Sequence, residues 1–242
     1  VVSDTNVVDG LCAYGTPIED ARDYSMLGCQ EIEIPGKSNF GCEDGSINLA
    51  KLFEYTINDG KCRITGQQVG LHTGYLTDYS SIEALWEAYT EQMRFFTRHF
   101  ITLCNLGVDI RDANLSKLVK MPFTEACVER GLNPDGGGAL YNYGVVETAG
   151  SSAVADAFAA IDKLVFREGK LSMETLRAAI DANFEGYEKE RLMLLNLAPK
   201  FGNDDDMVDA WHVRVLETFW TEIGKYRSRR GGVFTGACSL LE

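Results

Sequence analysis

The sequence predicts a helix-rich fold in which short strands feed loops, and three observations carry that expectation. Apolar residues recur every three or four positions over long stretches, most clearly at Ile82, Leu85, Tyr89, Met93 and Phe96. Residues 1–45 hold only short apolar patches, such as Met26-Leu27 and Ile32-Glu33-Ile34, punctuated by Pro17, Pro35 and several glycines. No linker, internal repeat or low-complexity tract divides the 242 residues, a length that suits one large domain or two small ones.

In chain order, a helix is expected over Ser46–Asn58, with Ile47, Leu49, Leu52, Phe53 and Ile57 largely on one face and Gly60 as its stop. After the glycine-rich stretch 66–75, Ser80-Ser81-Ile82-Glu83 has the form of a capping box at the start of the strongest helix. Residues 131–150 read as loop around Gly136-Gly137-Gly138, with a short strand expected over Ala139–Gly144. Further helices are expected over Ala153–Arg167, after the cap residue Ser172, over Tyr187–Leu197 and over Asp206–Arg227.

Acidic side chains outnumber basic ones by 36 to 23, for a formal net charge of −13. That balance argues against a general nucleic-acid or anionic-membrane partner, because phosphate contacts need a surplus of Lys and Arg. Apolar runs are too short to span a bilayer, and the first residues lack a signal-peptide pattern. The seven cysteines are odd in number and scattered, which fits a reducing, cytoplasmic setting better than a disulfide framework. The absence of an initiator Met and a start in mid-pattern suggest a piece of a longer chain.

Several familiar sites are absent. No Cys-x-x-Cys pair occurs and His72, His99 and His212 lie far apart, so no metal site is expected. Asn203-Asp204-Asp205-Asp206 lacks the glycine and closing glutamate of a calcium loop; Asp204 or Asp205 is expected to cap the next helix instead. The triple glycine is not followed by Gly-Lys-Ser/Thr and reads as a tight turn. The most suggestive chemistry is Gly28-Cys29-Gln30-Glu31, where a thiol and a carboxylate stand two residues apart. In an extended segment both point to one side, so one could serve as nucleophile, radical carrier or ligand while the other moves a proton. A purely structural role for the pair remains the alternative.

Taken together, Glu19-Asp20-Ala21-Arg22-Asp23-Tyr24, Gly28-Cys29-Gln30-Glu31 and Pro35-Gly36-Lys37 resemble the cysteine-loop region of glycyl radical enzymes, the pyruvate formate-lyase-like family. The resemblance continues in order through Asn48-Leu49-Ala50-Lys51, Asn58-Asp59-Gly60, Gly137-Gly138-Ala139-Leu140-Tyr141-Asn142, Ala155–Ile161, Pro199–Asp205 and Arg230-Gly231-Gly232-Val233-Phe234. It implies an α/β fold, part of a ten-stranded barrel with the cysteine loop projecting inward, and places residues 1–242 in the central to C-terminal part of that barrel. No Arg-Val-x-Gly-Tyr/Phe segment, which bears the radical glycine in the family, occurs in these residues. A partial barrel of this kind is expected to expose strand edges and apolar surface and to be inactive alone.

The resemblance also implies roles. Cys29 would become a thiyl radical and abstract hydrogen from substrate, and Glu31 would act as general acid/base. Gly28-Cys29 with an acid at residue 31 is similar to the branch holding coenzyme-B12-independent glycerol and propanediol dehydratases, and differs from members with two adjacent cysteines. Cys42, Glu43 and Asp44 fall where those dehydratases place a polar substrate-binding segment, although Glu43 and Asp44 could equally cap the helix expected near Ser46. Gln30 and Glu147 are further candidates for the pocket. The implied reaction is dehydration of a small, neutral, hydroxylated substrate; arylacetate decarboxylation, cleavage of another C–C, C–S or C–N bond, and a non-catalytic scaffold are the alternatives. No cofactor would be bound by this chain itself; the glycyl radical would be installed elsewhere in the protein by a radical S-adenosylmethionine activating enzyme with an iron–sulfur cluster. A homo-oligomer is expected.

Overall fold

The computed structural model describes residues 3–28, 31–39, 44–115 and 117–238. The chain forms two compact units, one of Val1–Ile47, His99–Ala149 and Trp220–Leu241, the other of Asn48–Arg98 and Gly150–Phe219.

The first unit opens with helix α1 (Asp4–Ala13), where only loops and short strands were expected. Ser3 caps it, its Oγ accepting from the Asn6 N–H, and Leu11 anchors it in a small core with Ala21 and Ile34. The short helix α2 (Ile18–Ala21) leads to an antiparallel hairpin of β1 (Ser25–Leu27) and β2 (Glu31–Glu33). Residues Gly45–Asn48 form β3, not the first turn of a helix. Ile47 is buried between exposed neighbours there, an alternation that suits a strand, and a Cβ on Gly45 would meet the Phe100 ring at 2.9 Å. Strand β4 (Gly144–Ala149) lies centrally between β3 and β5 (Phe234–Cys238), running parallel to β5 with Val145 opposite Thr235. The expected strand over Ala139–Gly144 is mostly irregular, with an isolated bridge at Tyr141 and regular pairing from Gly144 only; Asn142 folds its amide back onto the Gly137 and Ala139 carbonyls. Parallel pairing amid helices makes this an α/β fold. The five strands among the described residues form two open sheets, with β5 at an edge.

The second unit is helical: α3 (Leu49–Thr56), capped by Asn48 with its Oδ1 accepting from the Lys51 N–H at 2.9 Å, and the first part of α4 (Ile82–Asn114), capped by Ser81. The latter runs on into the first unit, where α5 (Cys127–Arg130) follows. The remaining helices are α6 (Ser151–Ile161), continued by a π-turn over Asp162–Arg167, α7 (Met173–Asp181), α8 (Glu188–Asn196) and α9 (Asp206–Ile223). Ser172 caps α7 and Asp205 caps α9 as expected, while α9 ends four residues earlier than its periodicity suggested. Phe158 lies at the centre of the core, stacked on Trp211 at 4.8 Å and edge-on to Phe53, Trp86 and Tyr89.

The glycine-rich stretch is strapped to α4 by one fully buried amide. Gln92 accepts from the Leu71 N–H at 3.0 Å and donates to the Leu71 carbonyl at 2.6 Å and to Thr73 Oγ1 at 3.0 Å. Gln92→Ala leaves the Leu71 backbone groups without these partners and is expected to lower stability by about 2–3 kcal/mol. Urea denaturation checks this; a loss under about 0.5 kcal/mol would show that the strap contributes little.

Candidate active site

The β1–β2 hairpin sets the site. Its register pairs Leu27 with Glu31, and of the residues between them Gly28 alone is described. Gly28 has φ +56°, and a Cβ there would stand 2.9 Å from Glu31 Oε2. Only glycine therefore lets the backbone turn in the left-handed region and lie against the carboxylate. Glu31 itself is 4% exposed. On β2, Ile32 faces the small core around α1 with Ile34, and strand alternation puts Glu31 and Glu33 on the opposite side. Burial pushes the Glu33 carboxyl up, partly offset by the hydrogen bond from Ser25.

A cavity of about 510 Å³ opens beside Glu31. Leu11, Tyr14, Tyr143, Val145, Trp220 and Phe234 supply much of its wall, so among the described residues Glu31 is the one acid at the edge of a mainly apolar space, the kind of setting in which a charge or proton is felt strongly. Tyr143 is fixed by its hydroxyl on Thr16 at 2.8 Å and by its backbone N–H on Asn39 Oδ1 at 2.8 Å. Tyr141, two residues earlier, donates to Asp20, which also pairs with Lys37. Those two bonds hold the Asp20 carboxyl below its usual range, while burial and Asp20 push the Tyr141 phenol up.

The other expected residues are placed as follows. Cys29, Gln30, Cys42 and Glu43 lie outside the described residues. Glu147 is half-buried on the same face of β4 as Val145 and accepts from Ser46 Oγ at 3.0 Å, but it does not line the cavity. Asp44 is not a helix cap, since α3 begins at Leu49 with Asn48 as its cap. Its carboxylate is committed elsewhere: Oδ1 accepts from Arg111 at 2.8 Å and Arg230 at 2.9 Å, and Oδ2 from Arg230 at 2.8 Å and from the Val145 N–H at 3.3 Å. Arg230 also donates to Asp135 at 3.0 Å, and Asp135 pairs with Lys117 at 2.6 Å. Burial pushes Asp135 up, but Lys117 and Arg230 outweigh it and hold the carboxyl below its usual range. Residue-by-residue reading did not connect Arg230, Arg111 and Asp135 with the site; the only signal was that Arg230-Gly231-Gly232 and the triple glycine each stood out as motifs. Among the described residues, no group of three or more His, Cys, Asp or Glu could hold a metal ion, and no helix is long and apolar enough to cross a membrane.

A model of the pyruvate formate lyase-like family matches residues 1–239. The chain belongs to this family. The solved structures similar to it include a glycyl radical enzyme from Archaeoglobus fulgidus. Trans-4-hydroxy-L-proline dehydratase of Clostridioides difficile is 32% identical over 90% of this chain and 27% of its own length. Isethionate sulfite-lyase of Desulfovibrio desulfuricans (strain ATCC 27774 / DSM 6949 / MB) is 32% identical over 87% of this chain and 26% of its own. The crystal structure of hydroxyproline dehydratase from Clostridioides difficile with trans-4-hydroxy-L-proline bound matches with a TM-score of 0.92 and 30% identity, over 98% of this chain and 30% of that one. The family member described here thus spans between 26% and 30% of these relatives.

Beside Glu33 the same unit holds Lys120, pushed down to about 8 by burial and by the neighbouring charge of Lys117. In the unfolded chain a lysine keeps its proton to about pH 10.4. Between those values the folded state binds fewer protons, so this group makes stability rise with pH across that window. Lys120→Met is expected to stabilise the protein most near pH 7, with the gain shrinking towards about pH 9.5. Urea midpoints across that range check it, and a gain independent of pH, or none, would contradict it.

Proposed function

We propose that this chain supplies the thiol and the acid/base of a glycyl radical lyase that removes water from a small, neutral, hydroxylated substrate. The observation that carries this reading is the burial of the Glu31 carboxylate against Gly28, directly before Cys29, at the edge of a mainly apolar cavity. The dehydratases among the relatives support the reaction type, and the sulfite-lyase supports the broader class of carbon–heteroatom cleavage. The chain is the central to C-terminal part of a larger α/β barrel.

The glycyl radical, in a part of the protein outside these residues, supplies the oxidation that turns the cysteine thiol into a thiyl radical, and a radical S-adenosylmethionine activating enzyme with an iron–sulfur cluster installs it. Cys29 Sγ takes a hydrogen atom from the carbon bearing one hydroxyl. Glu31 accepts that hydroxyl's proton and returns a proton to the neighbouring hydroxyl, whose C–O bond breaks so that water leaves. Cys29 then gives its hydrogen atom back to carbon, and the diol has become an aldehyde and water. The apolar wall keeps bulk water from the radical and strengthens the carboxylate's interaction with the substrate. Cys42 and Glu43 contact substrate hydroxyls, Gln30 supports the pocket's polar side, and Asp44 holds its own position through the arginines. The assembled enzyme acts as a cytoplasmic homo-oligomer.

The test uses the complete protein, activated anaerobically and supplied with propane-1,2-diol. A glycyl radical doublet in the electron paramagnetic resonance spectrum and release of aldehyde are expected. Glu31→Gln should keep the doublet and lower kcat by about 10²–10⁴-fold, and Cys29→Ala should keep it with no turnover. No doublet in the wild type, or turnover by Cys29→Ala, would overturn the mechanism; release of carbon dioxide from an arylacetate or sulfite from a hydroxyalkylsulfonate in place of diol dehydration would overturn the substrate class.

A further inference from the structure

We infer that Asp20 is a positioning residue for Glu31, a role that rests on the function proposed above. Glu31 lies on β2, which forms a sheet of two strands with β1, paired over three residues each. A two-stranded ribbon of that length is at best marginally stable alone. What fixes Glu31 beside the cavity is therefore whatever holds the two ends of the ribbon.

The end that leaves β2 is tied by backbone. The Lys37 carbonyl accepts the Tyr141 N–H at 3.0 Å, and Asn39 donates its N–H to the Tyr141 carbonyl at 2.9 Å and accepts the Tyr143 N–H on its side chain. The end that enters β1 carries α2, and there the tie is the Asp20 carboxylate: Oδ1 accepts from Lys37 Nζ and Oδ2 from the Tyr141 hydroxyl. One planar group thus closes the base of the ribbon, joining residues 20 and 37. It also fastens that base to the run bearing Tyr143 and Val145, which line the cavity with Glu31. Thr16, just before α2, adds a second tie through the Tyr143 hydroxyl at 2.8 Å.

Two features favour direction over stability as the purpose of this group. Ala21, beside Asp20, and Ile34, three residues before Lys37, are buried in one small core against which Tyr141 and Tyr143 pack. Apolar burial of that kind holds the ends together but has no direction, whereas charge-assisted hydrogen bonds on two different oxygens of one carboxylate fix an angle. The Asp20–Lys37 pair is also partly exposed, with side chains 17% and 32% accessible, and such pairs contribute little to stability. The tie keeps its form across neutral pH: Lys37 and Tyr141 hold the Asp20 carboxyl below its usual range, while burial and Asp20 push the Tyr141 phenol up.

The test uses the complete protein with Asp20→Asn, with Tyr141→Phe and with both. Tyr141→Phe removes one hydroxyl only and carries the test where Asp20→Asn does not fold. Hydrogen exchange is followed on peptides covering residues 18–27 and, as a reference, residues 151–161. Turnover of propane-1,2-diol is measured on the activated samples and expressed per glycyl radical. Positioning predicts exchange at 18–27 faster by about tenfold with the reference unchanged, and kcat per radical lower by about tenfold with KM changed less than about twofold. The double variant should be no slower than Asp20→Asn, because both changes break the same bond. Exchange that is unchanged at 18–27, or that rises equally in both regions, would overturn the inference. So would an unchanged kcat per radical, a rise in KM at constant kcat, or losses that simply add in the double variant. The exchange result stands without turnover, so a wild type that makes no radical or leaves the diol intact defeats the proposed function and leaves this inference to be decided by exchange alone.

Discussion

The candidate site depends on one run of backbone, residues 141–145. It accepts and donates the hydrogen bonds that fasten Asn39 and Asp44, and it continues directly into β4, the central strand of its sheet. Tyr141 also reaches Asp20 on α2, and Tyr143 reaches Thr16 and the cavity. Everything that brings Glu31 beside an apolar space therefore refers back to these few residues: the hairpin through Asp20 and the small core, the polar segment through Asp44, and the cavity wall through Tyr143 and Val145.

Charge is used sparingly and under cover. The chain carries a net charge of −13, yet the carboxylates that matter here are each in a distinct setting. Asp20, Asp44 and Asp135 are paired with cations and serve as anchors. Glu31 is buried at the edge of the cavity, against a glycine that has no side chain to displace it. The paired acids hold the frame rigid around the cavity beside which the Glu31 carboxylate lies.

How much of this could be read in advance follows the range of the interactions. Caps act over three residues, so Ser81, Ser172 and Asp205 were legible as helix starts. The close spacing of Cys29 and Glu31 was visible too, and the ordered motifs around it identified the family. Helix α1 was not legible, because Gly10 and the β-branched Val7 and Val8 give it low local propensity and it is held by docking Leu11 in a core with Ala21 and Ile34. Nor was the strand at Gly45–Asn48, where pairing with β4 overrides a helical pattern of apolar residues. The Arg230–Asp44 fork joins residues 186 apart in the chain, and no local pattern announces such a partner; only the glycines that permit the approach left a mark.

The central claim is that Gly28 and the Leu27–Glu31 pairing hold the thiol of Cys29 and the carboxylate of Glu31 against the same substrate. An anaerobic crystal structure of the complete protein with propane-1,2-diol bound tests it most directly. The account predicts Cys29 Sγ and a Glu31 oxygen each within about 4 Å of the diol, on its carbon and hydroxyl respectively. A diol seated away from the hairpin, or a Glu31 carboxylate turned away from the diol, would contradict it.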